Sequence, residues 1–530
     1  MRNGLGAGLV GLVMAGLSIP ISSFAQAAAQ HPMSPPPAAP KVTTTTTDAW
    51  HPKSSVYAKA SNTKEDAQFG FAVALSGDGN TLAVGAVGED STTKGVNSIP
   101  KGHAEYVGAV YVYTRSATGW KQQAYLKASN AAEGTQFGNA LALNYDGNLL
   151  AVGSNCENSA AKGVNGNQED ASMPSAGAVY IFTRAGAAWS QQAYLKASNT
   201  GGPDDGYQFG YSVSLSSDGS TLAVGSIAES SAATGTNGDQ SDTSAPESGA
   251  VYVFTHDGAT WAQQAYIKPW NSTDRGALFA YAVGLSGNGD TLAVGSQNED
   301  AAKGAAYVFT RNGGVWSQQT RFAVSNAEDD DQLGCSVAIS DDGNTVVTGA
   351  CEEDAMLAGI QPPSAGGHDR DPDASTGARS PHTSTGAVYV FVRKNGRWSQ
   401  QSYMKSFNTR INDQFGWGLA ISRDGNTIAV GAHFEDSGAK GVNGDQSDFS
   451  VEDSGAVYIY TRSRDSWSPA AYVKASNPQV AAAFGDTLAI SADGKVLAVS
   501  APHENSAAKG INGNQNDTSA RFAGAVYVYY

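Results

Sequence analysis

Three observations predict an all-β fold, a single seven-bladed β-propeller of four-stranded antiparallel blades. One sequence unit recurs seven times with a period of about seventy residues. Each unit contains four predicted strands, and the strand missing from the last unit stands before the first one. Repeats of this length and strand content are typical of propeller blades. An open solenoid is the alternative, but it needs capping repeats, and none is visible.

The first half of each unit predicts a β-hairpin. Residues 209–226 read FGYSVSLSSDGSTLAVGS, in which two apolar strands flank an Asp-Gly pair. Asp-Gly supplies the positive φ angles of a tight turn. The corresponding units start at Phe69, Phe137, Phe209, Phe279, Leu333, Phe415 and Phe484.

The second half of each unit predicts another hairpin. From Gly249 it reads GAVYVFT, a turn near DGAT, and WAQQAYIK. Seven of the nine Trp residues occupy the same place in this half, where we expect them to pack blade against blade at the outer rim. They are Trp50, Trp120, Trp189, Trp261, Trp316, Trp398 and Trp467.

The two ends of the repeat array predict a closed ring. The seventh unit stops at Tyr530 and lacks the strand that contains Trp. Residues 50–62, WHPKSSVYAKASN, match the fourth strand that starts at Trp120, WKQQAYLKASN. The N-terminal strand is therefore expected to complete the last blade, which removes the free sheet edges of an open array.

Composition and the first residues predict an exported, acidic protein. The 530 residues carry a formal net charge of −16, which disfavours binding to nucleic acid or an anionic membrane. Residues 1–25 resemble a signal peptide, and residues 26–49 are predicted to be a disordered Pro- and Thr-rich leader. Residues 50–530 form the propeller. We expect a monomer without membrane insertion, located in a periplasm, on a cell surface or in the medium.

The unit resembles the FG-GAP repeat. A Phe-Gly strand, a turn and a Gly-Ala-like end recur in phase, and the nearest approach to the full ending is Ser500-Ala501-Pro502. This repeat builds the integrin α-subunit propeller and many exported bacterial proteins. The resemblance implies recognition loops on one face that bind a protein or a glycan. Residues 74–82, ALSGDGNTL, lack the D-x-D-x-D-G pattern that binds calcium in integrin-like repeats, so these turns are interpreted as ordinary hairpin turns.

A Glu follows the second strand of every unit. Propeller symmetry would arrange the seven in a ring, either as a collar that attracts cations or as acceptors for backbone N–H groups of their own loops. The second interpretation is favoured, because a residue present in every blade usually serves the blade. The residues are Glu89, Glu157, Glu229, Glu299, Glu353, Glu435 and Glu504.

The long loops after the second strands offer a possible calcium site. Five share a segment such as KGVNGDQSD at 440–448, in which amide and carboxylate oxygens recur at short spacing. Glu435, Asp445 and Asp448 are the candidate ligands. The alternative is a loop of Asx turns that satisfies its own backbone.

Two neighbouring units depart from the pattern. Unit 4 has almost no long loop, whereas unit 5 has a long departure from Met356 to Thr385. The short loop of unit 4 would leave a recess beside the long loop of unit 5, and a specific partner is expected to bind there. Candidate partner-binding residues in this departure are His368, Asp369, Asp371, Asp373 and His382.

Histidine and cysteine residues supply the remaining candidates. His433 and His503 lie one residue apart in repeat phase, in adjacent blades, and are added to the partner-binding set. A His pair with carboxylates is also the basis of an alternative function as a hydrolase or lyase, but no nucleophile or metal-spacing motif accompanies it. Cys335 and Cys351 lie nearly opposite each other across a hairpin and form either a disulfide or two buried thiols.

Together these patterns predict a non-enzymatic recognition or adhesion module that binds protein or glycan through the loops of one propeller face. A calcium-stabilised structural subunit of a surface assembly is the third alternative. No catalytic residue and no certain cofactor are predicted.

Overall fold

The structure is a computed structural model that describes residues 50–202, 206–271, 275–324, 326–361 and 383–530. The predicted signal peptide and leader lie outside the described residues. So do five of the predicted partner-binding residues: His368, Asp369, Asp371, Asp373 and His382.

Seven antiparallel sheets form the described body, and the first three contain the strands nearest the N-terminus. Blade 1 consists of β2 (Phe69–Leu75), β3 (Thr81–Ala86), β4 (Ala109–Ser116) and β5 (Gly119–Leu126). Blade 2 consists of β6 (Leu141–Leu143), β7 (Leu149–Ser154), β8 (Ala178–Ala185) and β9 (Ala188–Leu195). Blade 3 consists of β10 (Phe209–Leu215), β11 (Thr221–Ser226), β12 (Ala250–His256) and β13 (Trp261–Ile267).

The next three sheets include two with a short additional strand. Blade 4 consists of β14 (Phe279–Leu285), β15 (Thr291–Ser296), β16 (Ala305–Asn312) and β17 (Val315–Phe322), with a short helical turn α1 (Glu299–Ala302). Blade 5 consists of β18 (Leu333–Ile339), β19 (Thr345–Ala350), β20 (Ile360–Gln361), β21 (Ala387–Lys394) and β22 (Arg397–Met404). Blade 6 consists of β23 (Phe415–Ile421), β24 (Thr427–Ala432), β25 (Gly441–Val442), β26 (Ala456–Ser463) and β27 (Ser466–Lys474).

Blade 7 joins the two ends of the described chain. Its strands are β28 (Leu488–Ile490), β29 (Leu497–Ala501), β30 (Ala525–Tyr529) and β1 (Ser55–Ala58). The register pairs Ser55 with Tyr529 and Ala58 with Val526. The Trp50 indole N–H donates to the Gly494 carbonyl at 2.9 Å. The predicted closure by the N-terminal strand is confirmed, and the fold is a closed seven-bladed propeller.

The apolar core lies between the blades rather than within any one of them. Each blade contributes small residues and one aromatic cluster to the interface with its neighbour. In blade 1 the Phe69 ring meets Tyr111 edge-on at 5.4 Å between centroids, and both rings are buried. Blade 7 contributes Val526 and Val528 to the same cluster. A blade therefore has a complete core only when both neighbours are present.

The meander topology gives the ring two different faces. The upper face carries the loops from the second to the third strands and the connectors into each Phe-Gly strand. The lower face carries the hairpin turns. Interblade contacts near the lower face explain the repeated Trp: the Trp467 indole N–H donates to Gln401 Oε1 of blade 5 at 2.9 Å, under the Arg462 guanidinium.

A belt of backbone hydrogen bonds closes the lower end of the ring, and no feature of the sequence had indicated it. In each first hairpin the turn residue before Asp-Gly, or its equivalent, contacts the same turn of the next blade. The bonds run Tyr145 N to Ser217 O, Ser217 N to Gly287 O, Gly287 N to Asp341 O, Asp341 N to Arg423 O, Arg423 N to Ala492 O, Ala492 N to Gly77 O and Asp78 N to Tyr145 O, at 2.9–3.1 Å. Such a circuit can form only if the blades close into a ring.

Candidate functional site

Each recurring Glu forms a buried ion pair. In six blades its Oε2 contacts the Nζ of a Lys that directly follows, or ends, the outer strand of the same blade, at 2.5–2.9 Å, and these Lys side chains are 0% exposed. The pairs are Glu89–Lys127, Glu157–Lys196, Glu229–Lys268, Glu353–Lys405, Glu435–Lys474 and Glu504–Lys59. Burial of a charge is costly unless it is paired and hydrogen-bonded, so these carboxylates have a structural partner.

In five of these six ion pairs an Asn from the preceding blade also donates to the Glu; the exception is blade 5, where Asn326 donates to the Tyr389 hydroxyl instead. At blade 6, Asn408 Nδ2 donates to Glu435 Oε1 at 2.9 Å, and the Tyr458 hydroxyl donates to Asn408 Oδ1 at 2.5 Å. The Ser437 backbone N–H donates to Glu435 Oε2 at 3.0 Å. The Glu therefore does accept from its own loop, as favoured above, but it also connects two neighbouring blades. We call this cluster of Glu, Lys, Asn and Tyr side chains the latch. The recurring KASN segment was the sequence signal for this latch.

Blade 4 also forms the latch, but an Arg takes the place of the Lys. Ala323 stands where the other blades have Lys, and the guanidinium of Arg321, two residues earlier, reaches Glu299 at 2.8 Å instead. Asn271 and Tyr307 still contact the same carboxylate. The chain thus retains the charge pair while altering the outer strand that carries it.

The shared KGVN segments pair with the outer strands of their blades. In blade 6, Gly441 and Val442 form β25 and pair with Lys474 and Val473. Asn443 has a positive φ, and its N–H and Oδ1 bond the Tyr472 carbonyl and N–H at 2.7 and 3.0 Å. Each segment therefore acts as a short fifth strand that covers the edge of its blade.

The calcium site at Glu435, Asp445 and Asp448 stays a prediction, and in the structure all three carboxylates have partners within the protein. Glu435 is 0% exposed, and its oxygens accept from Lys474, Asn408 and Tyr472. Asp445 Oδ1 caps the turn by accepting from Ser447, and Asp448 Oδ1 accepts from the Ser450 N–H. The alternative of a loop of Asx turns fits these bonds. Within the described ranges no group of three His, Cys, Asp or Glu side chains could hold a metal ion.

His433 and His503 both lie at the junction of blades 6 and 7, where each interacts with Asp486. His433 Nδ1 lies 3.1 Å from Asp486 Oδ1, and its Nε2 lies 2.7 Å from Gln414 Oε1. Gln414 Nε2 donates to Glu352 of blade 5 at 2.6 Å, which fixes its oxygen towards His433. Burial lowers the pKa of His503, while Asp486 raises it and His433 lowers it. A polar chain thus crosses three blades on the upper face.

This polar chain is built to hold His433 in place. The ring is 4% exposed and stands between Trp417 and Phe434, with centroids at 4.6 and 3.9 Å. Both of its nitrogens lie within hydrogen-bond distance of oxygen atoms of the protein, Asp486 Oδ1 and Gln414 Oε1. The His433 ring therefore has both nitrogens engaged within the protein, and the hydrolase alternative stays untested.

Cys335 and Cys351 are joined by a disulfide across the β18–β19 hairpin. They occupy in blade 5 the repeat positions that Trp417 and His433 occupy in blade 6. The third cysteine, Cys156, is a free thiol whose pKa burial raises. The irregular side chains of blades 5 and 6 thus lie on the same upper, inner part of the ring.

Two buried carboxyl groups next to the latches were missed from sequence. Asp331 and Asp413 precede the Gln of the QLG and QFG motifs of blades 5 and 6, where other units have Ala, Thr or Tyr. The pKa of Asp331 is raised to about 7, chiefly by burial and also by the nearby Glu353 and Asp354. Burial likewise raises the pKa of Asp413 well above its ordinary value, and Glu435 adds to the shift. Only a comparison of this position across all seven units would have indicated them.

The geometry defines a closed seven-bladed β-propeller whose most irregular blades, 4 to 6, are neighbours. The FG-GAP repeat family model matches residues 189–254 and 316–365, each match starting at the Trp of an outer strand. These two matches and the closed seven-bladed ring together support an FG-GAP β-propeller. Among the described residues, no helix has the length and apolar character needed to span a bilayer.

Two solved structures are similar over most of their length. One is the β-propeller domain of Cps50 (Swd1) from Myceliophteria thermophila, at 10% identity and a TM-score of 0.46, covering 90% of this chain and 98% of that one. The other is hydrazine synthase from Kuenenia stuttgartiensis, at 14% identity and a TM-score of 0.46, covering 82% and 93%. No curated protein matches the chain. None of these similarities bears on function.

Proposed function

We propose that this FG-GAP propeller is an exported, non-enzymatic recognition module that binds a protein or a glycan through the loops of its upper face. The supporting observation is the inequality of those loops. The loop of blade 4 runs only from Gln297 to Gly304, whereas that of blade 5 runs from Cys351 to Gly386. Loops on a rigid scaffold are the usual place for binding residues.

The chemistry of the repeats supports this assignment. The residues present in every blade are bound to one another: Glu to Lys or Arg, Asn to Glu, and Tyr to Asn in the latches. Functional variation is therefore confined to positions where blades differ. Those positions concentrate in blades 4 and 5 and in the polar chain through His433 and Asp486.

A binding screen with three full-length proteins tests the proposal. The ligands are a glycan array and a panel of purified cell-surface and extracellular proteins. The first protein is the wild type, and the second has residues 362–382 replaced by a Gly-Ser sequence of equal length. The third, the control, has residues 166–174 of blade 2 replaced in the same way. We expect a ligand that binds the wild type and the control alike and the blade 5 variant at least about tenfold more weakly.

Equal binding by all three proteins would move the site away from blade 5. Turnover of any bound glycan or protein would contradict the non-enzymatic assignment. A melting temperature within the error of the wild type, measured for both variants, shows that the ring is intact.

A further inference from the structure

In six of the seven blades, a short extended segment of the same chain covers the outer edge of the fourth strand. The pairs are Val96–Leu126, Val164–Leu195, Thr236–Ile267, Ile360–Met404, Val442–Val473 and Ile511–Ala58. Blade 5 achieves this with a different sequence, AGIQ at 358–361. The cover is therefore a general feature of this propeller and not a property of one loop.

The cover binds outward-facing backbone groups of the strand. In blade 1, Asn97 N–H donates to the Tyr125 carbonyl at 2.7 Å, and Tyr125 N–H donates to Asn97 Oδ1 at 3.0 Å. Lys127 N–H donates to the Gly95 carbonyl at 3.0 Å. The covering segment thus provides hydrogen-bond partners for two N–H groups and one carbonyl of the outer strand. Its residues are a Gly, a β-branched or similar residue, and an Asn.

In blade 4 no described segment provides this cover. Its loop, Gln297 to Gly304, is too short to return to the outer strand, and no described segment pairs with the outer edge of β17. By equivalence with blade 1, the outward-facing groups are the N–H and carbonyl of Arg321 and the N–H of Ala323. The strand contains one Arg and no Lys or Pro, the residues that commonly protect an open edge.

Exposed apolar side chains flank this open edge. Val315, the first residue of β17, is 69% exposed, and Trp270 is 59% exposed. The Trp270 backbone N–H donates to Gln318 Oε1 of β17 at 3.1 Å, which places it beside the strand. A partner strand that extends past the covered length would meet both side chains.

We propose that the outer edge of β17 binds an extended segment of a partner protein by strand addition, the segment having a Gly, a β-branched residue and an Asn in succession. The occupant is inferred from this chain itself, since segments of that kind fill the equivalent edge in five blades. Strand addition gives affinity through main-chain hydrogen bonds and specificity through alternate side chains. The inference rests on the proposed function, and it specifies the kind of partner segment that blade 4, the blade with the shortest loop, would bind.

A peptide-binding titration tests the inference. The probe is a fluorescent peptide with the sequence of residues 439–445, AKGVNGD, and its fluorescence anisotropy is measured against the full-length protein. Ala323→Pro removes one outward N–H and places a ring on the edge, whereas Ala323→Val keeps the N–H. We expect equal Kd for the wild type and Ala323→Val, and an affinity about tenfold lower for Ala323→Pro.

A second variant keeps the test valid if Ala323→Pro does not fold. Replacing Asp300–Lys303 by residues 436–454 of blade 6 gives blade 4 its own cover, and this protein should not bind the peptide. A peptide whose Asn is replaced by Ala should bind the wild type more weakly. Absence of binding by the wild type would overturn the inference, and so would binding by the Ala323→Pro and grafted proteins with the same affinity as the wild type.

Two further outcomes separate this inference from the proposed function. A ligand from the screen that Ala323→Pro still binds, but the 362–382 replacement does not, overturns strand addition and leaves the recognition function in place. A concentration-dependent dimer seen by analytical ultracentrifugation and abolished by Ala323→Pro would assign the edge to self-association and overturn the partner proposal.

Discussion

At the scale of the residue, the buried Glu–Lys pairs account for most of the repeated polar sequence. Burial lowers the pKa of Lys474, and the Glu435 carboxylate raises it. Asn408 and the Ser437 N–H donate to the same carboxylate, so the pair has hydrogen-bond partners as well as charge. Removal of one member of such a pair leaves an uncompensated charge in the interior.

Lys474→Met should therefore reduce the free energy of unfolding by about 3–5 kcal/mol. The matched control is Lys394→Met, whose partner Asp465 lies at 2.8 Å but at a surface where both side chains are more than half exposed. Exposed pairs contribute about 0–1 kcal/mol, so the control should change little. Urea denaturation followed by Trp fluorescence measures both. Similar losses in the two variants would show that the buried pair has no special role.

Asp331 makes stability depend on pH. The unfolded carboxyl has a pKa near 3.9, whereas burial raises the pKa of the folded one to about 7. The folded state thus binds a proton that the unfolded state has released, and stability falls as pH rises between these values. The carboxyl and carboxylate groups of Glu353, Asp354 and Glu328 act in the same direction.

Asp331→Asn should melt higher than the wild type by a margin that grows from pH 4 to pH 7 and is constant above pH 7. Thermal melts across this range measure the margin. Asp493→Asn is the control: partial burial raises the pKa of Asp493, but hydrogen bonds from Ser491 and Lys495 lower it below its ordinary value. Its margin should not grow above pH 5, and a constant margin for Asp331→Asn would refute the assignment.

At the scale of the element, the hairpins follow from local sequence. The Asp-Gly turns (Asn-Gly in blade 4) and apolar alternation predicted every first hairpin, because the Gly of each turn supplies the positive φ angle. The role of KGVN was not predictable from local pattern. Asn and Gly are common in turns, in calcium-binding loops and in segments that pair with a strand edge. Only the hydrogen bond from the Tyr472 N–H to Asn443 Oδ1 shows that the KGVN segment is of the third kind.

The β18–β19 hairpin carries a disulfide, which gives a redox prediction. Cys335 and Cys351 are separated by 16 positions, and closing a loop of this size contributes roughly 3 kcal/mol. The Cys335→Ala/Cys351→Ala protein should melt lower than the wild type and be insensitive to dithiothreitol, which should lower the melting temperature of the wild type. Thiol titration of the wild type in denaturant should find one free thiol, that of Cys156. Three free thiols in protein purified without reductant would contradict the pairing.

At the scale of the whole molecule, closure depends on two separate features. The N-terminal strand pairs with β30, and the belt of turn-to-turn hydrogen bonds runs through every blade. The sequence predicted the first feature because Trp50–Asn62 repeats the fourth-strand pattern. It did not indicate the belt, which involves backbone atoms of residues as different as Gly77, Tyr145 and Arg423.

The upper face was predicted less completely. The unequal loops could be predicted from differences in length between the repeats. The placement of His433 and His503 in adjacent blades could be predicted from their positions within the repeat. The Lys and Asn partners of the Glu ring were overlooked because they stand in connectors, far from Glu in sequence. The bare edge of β17 became evident only after the covers of the other blades were known.

Truncation tests how much the closing strand contributes. Removal of residues 1–49 should leave the melting temperature unchanged, because their sequence predicts a signal peptide followed by a disordered leader. Removal of residues 1–58 takes away β1, and exposes Val526 and Val528 of β30, so it should lower the melting temperature by many degrees. A peptide of residues 50–62 added in trans should restore part of the loss. Equal melting of the two truncated proteins would place the stability of the ring elsewhere.

Amide hydrogen exchange of the full-length protein, resolved to individual strands by mass spectrometry, tests the closed ring most directly. The account predicts that Ser55–Ala58 is protected as strongly as the outer strands of blades 1, 2, 3, 5 and 6, since each is bonded on both edges. The outward N–H groups of Arg321 and Ala323 in blade 4 should exchange quickly. Rapid exchange of Ser55–Ala58, as from a free terminal segment, would contradict the closed propeller.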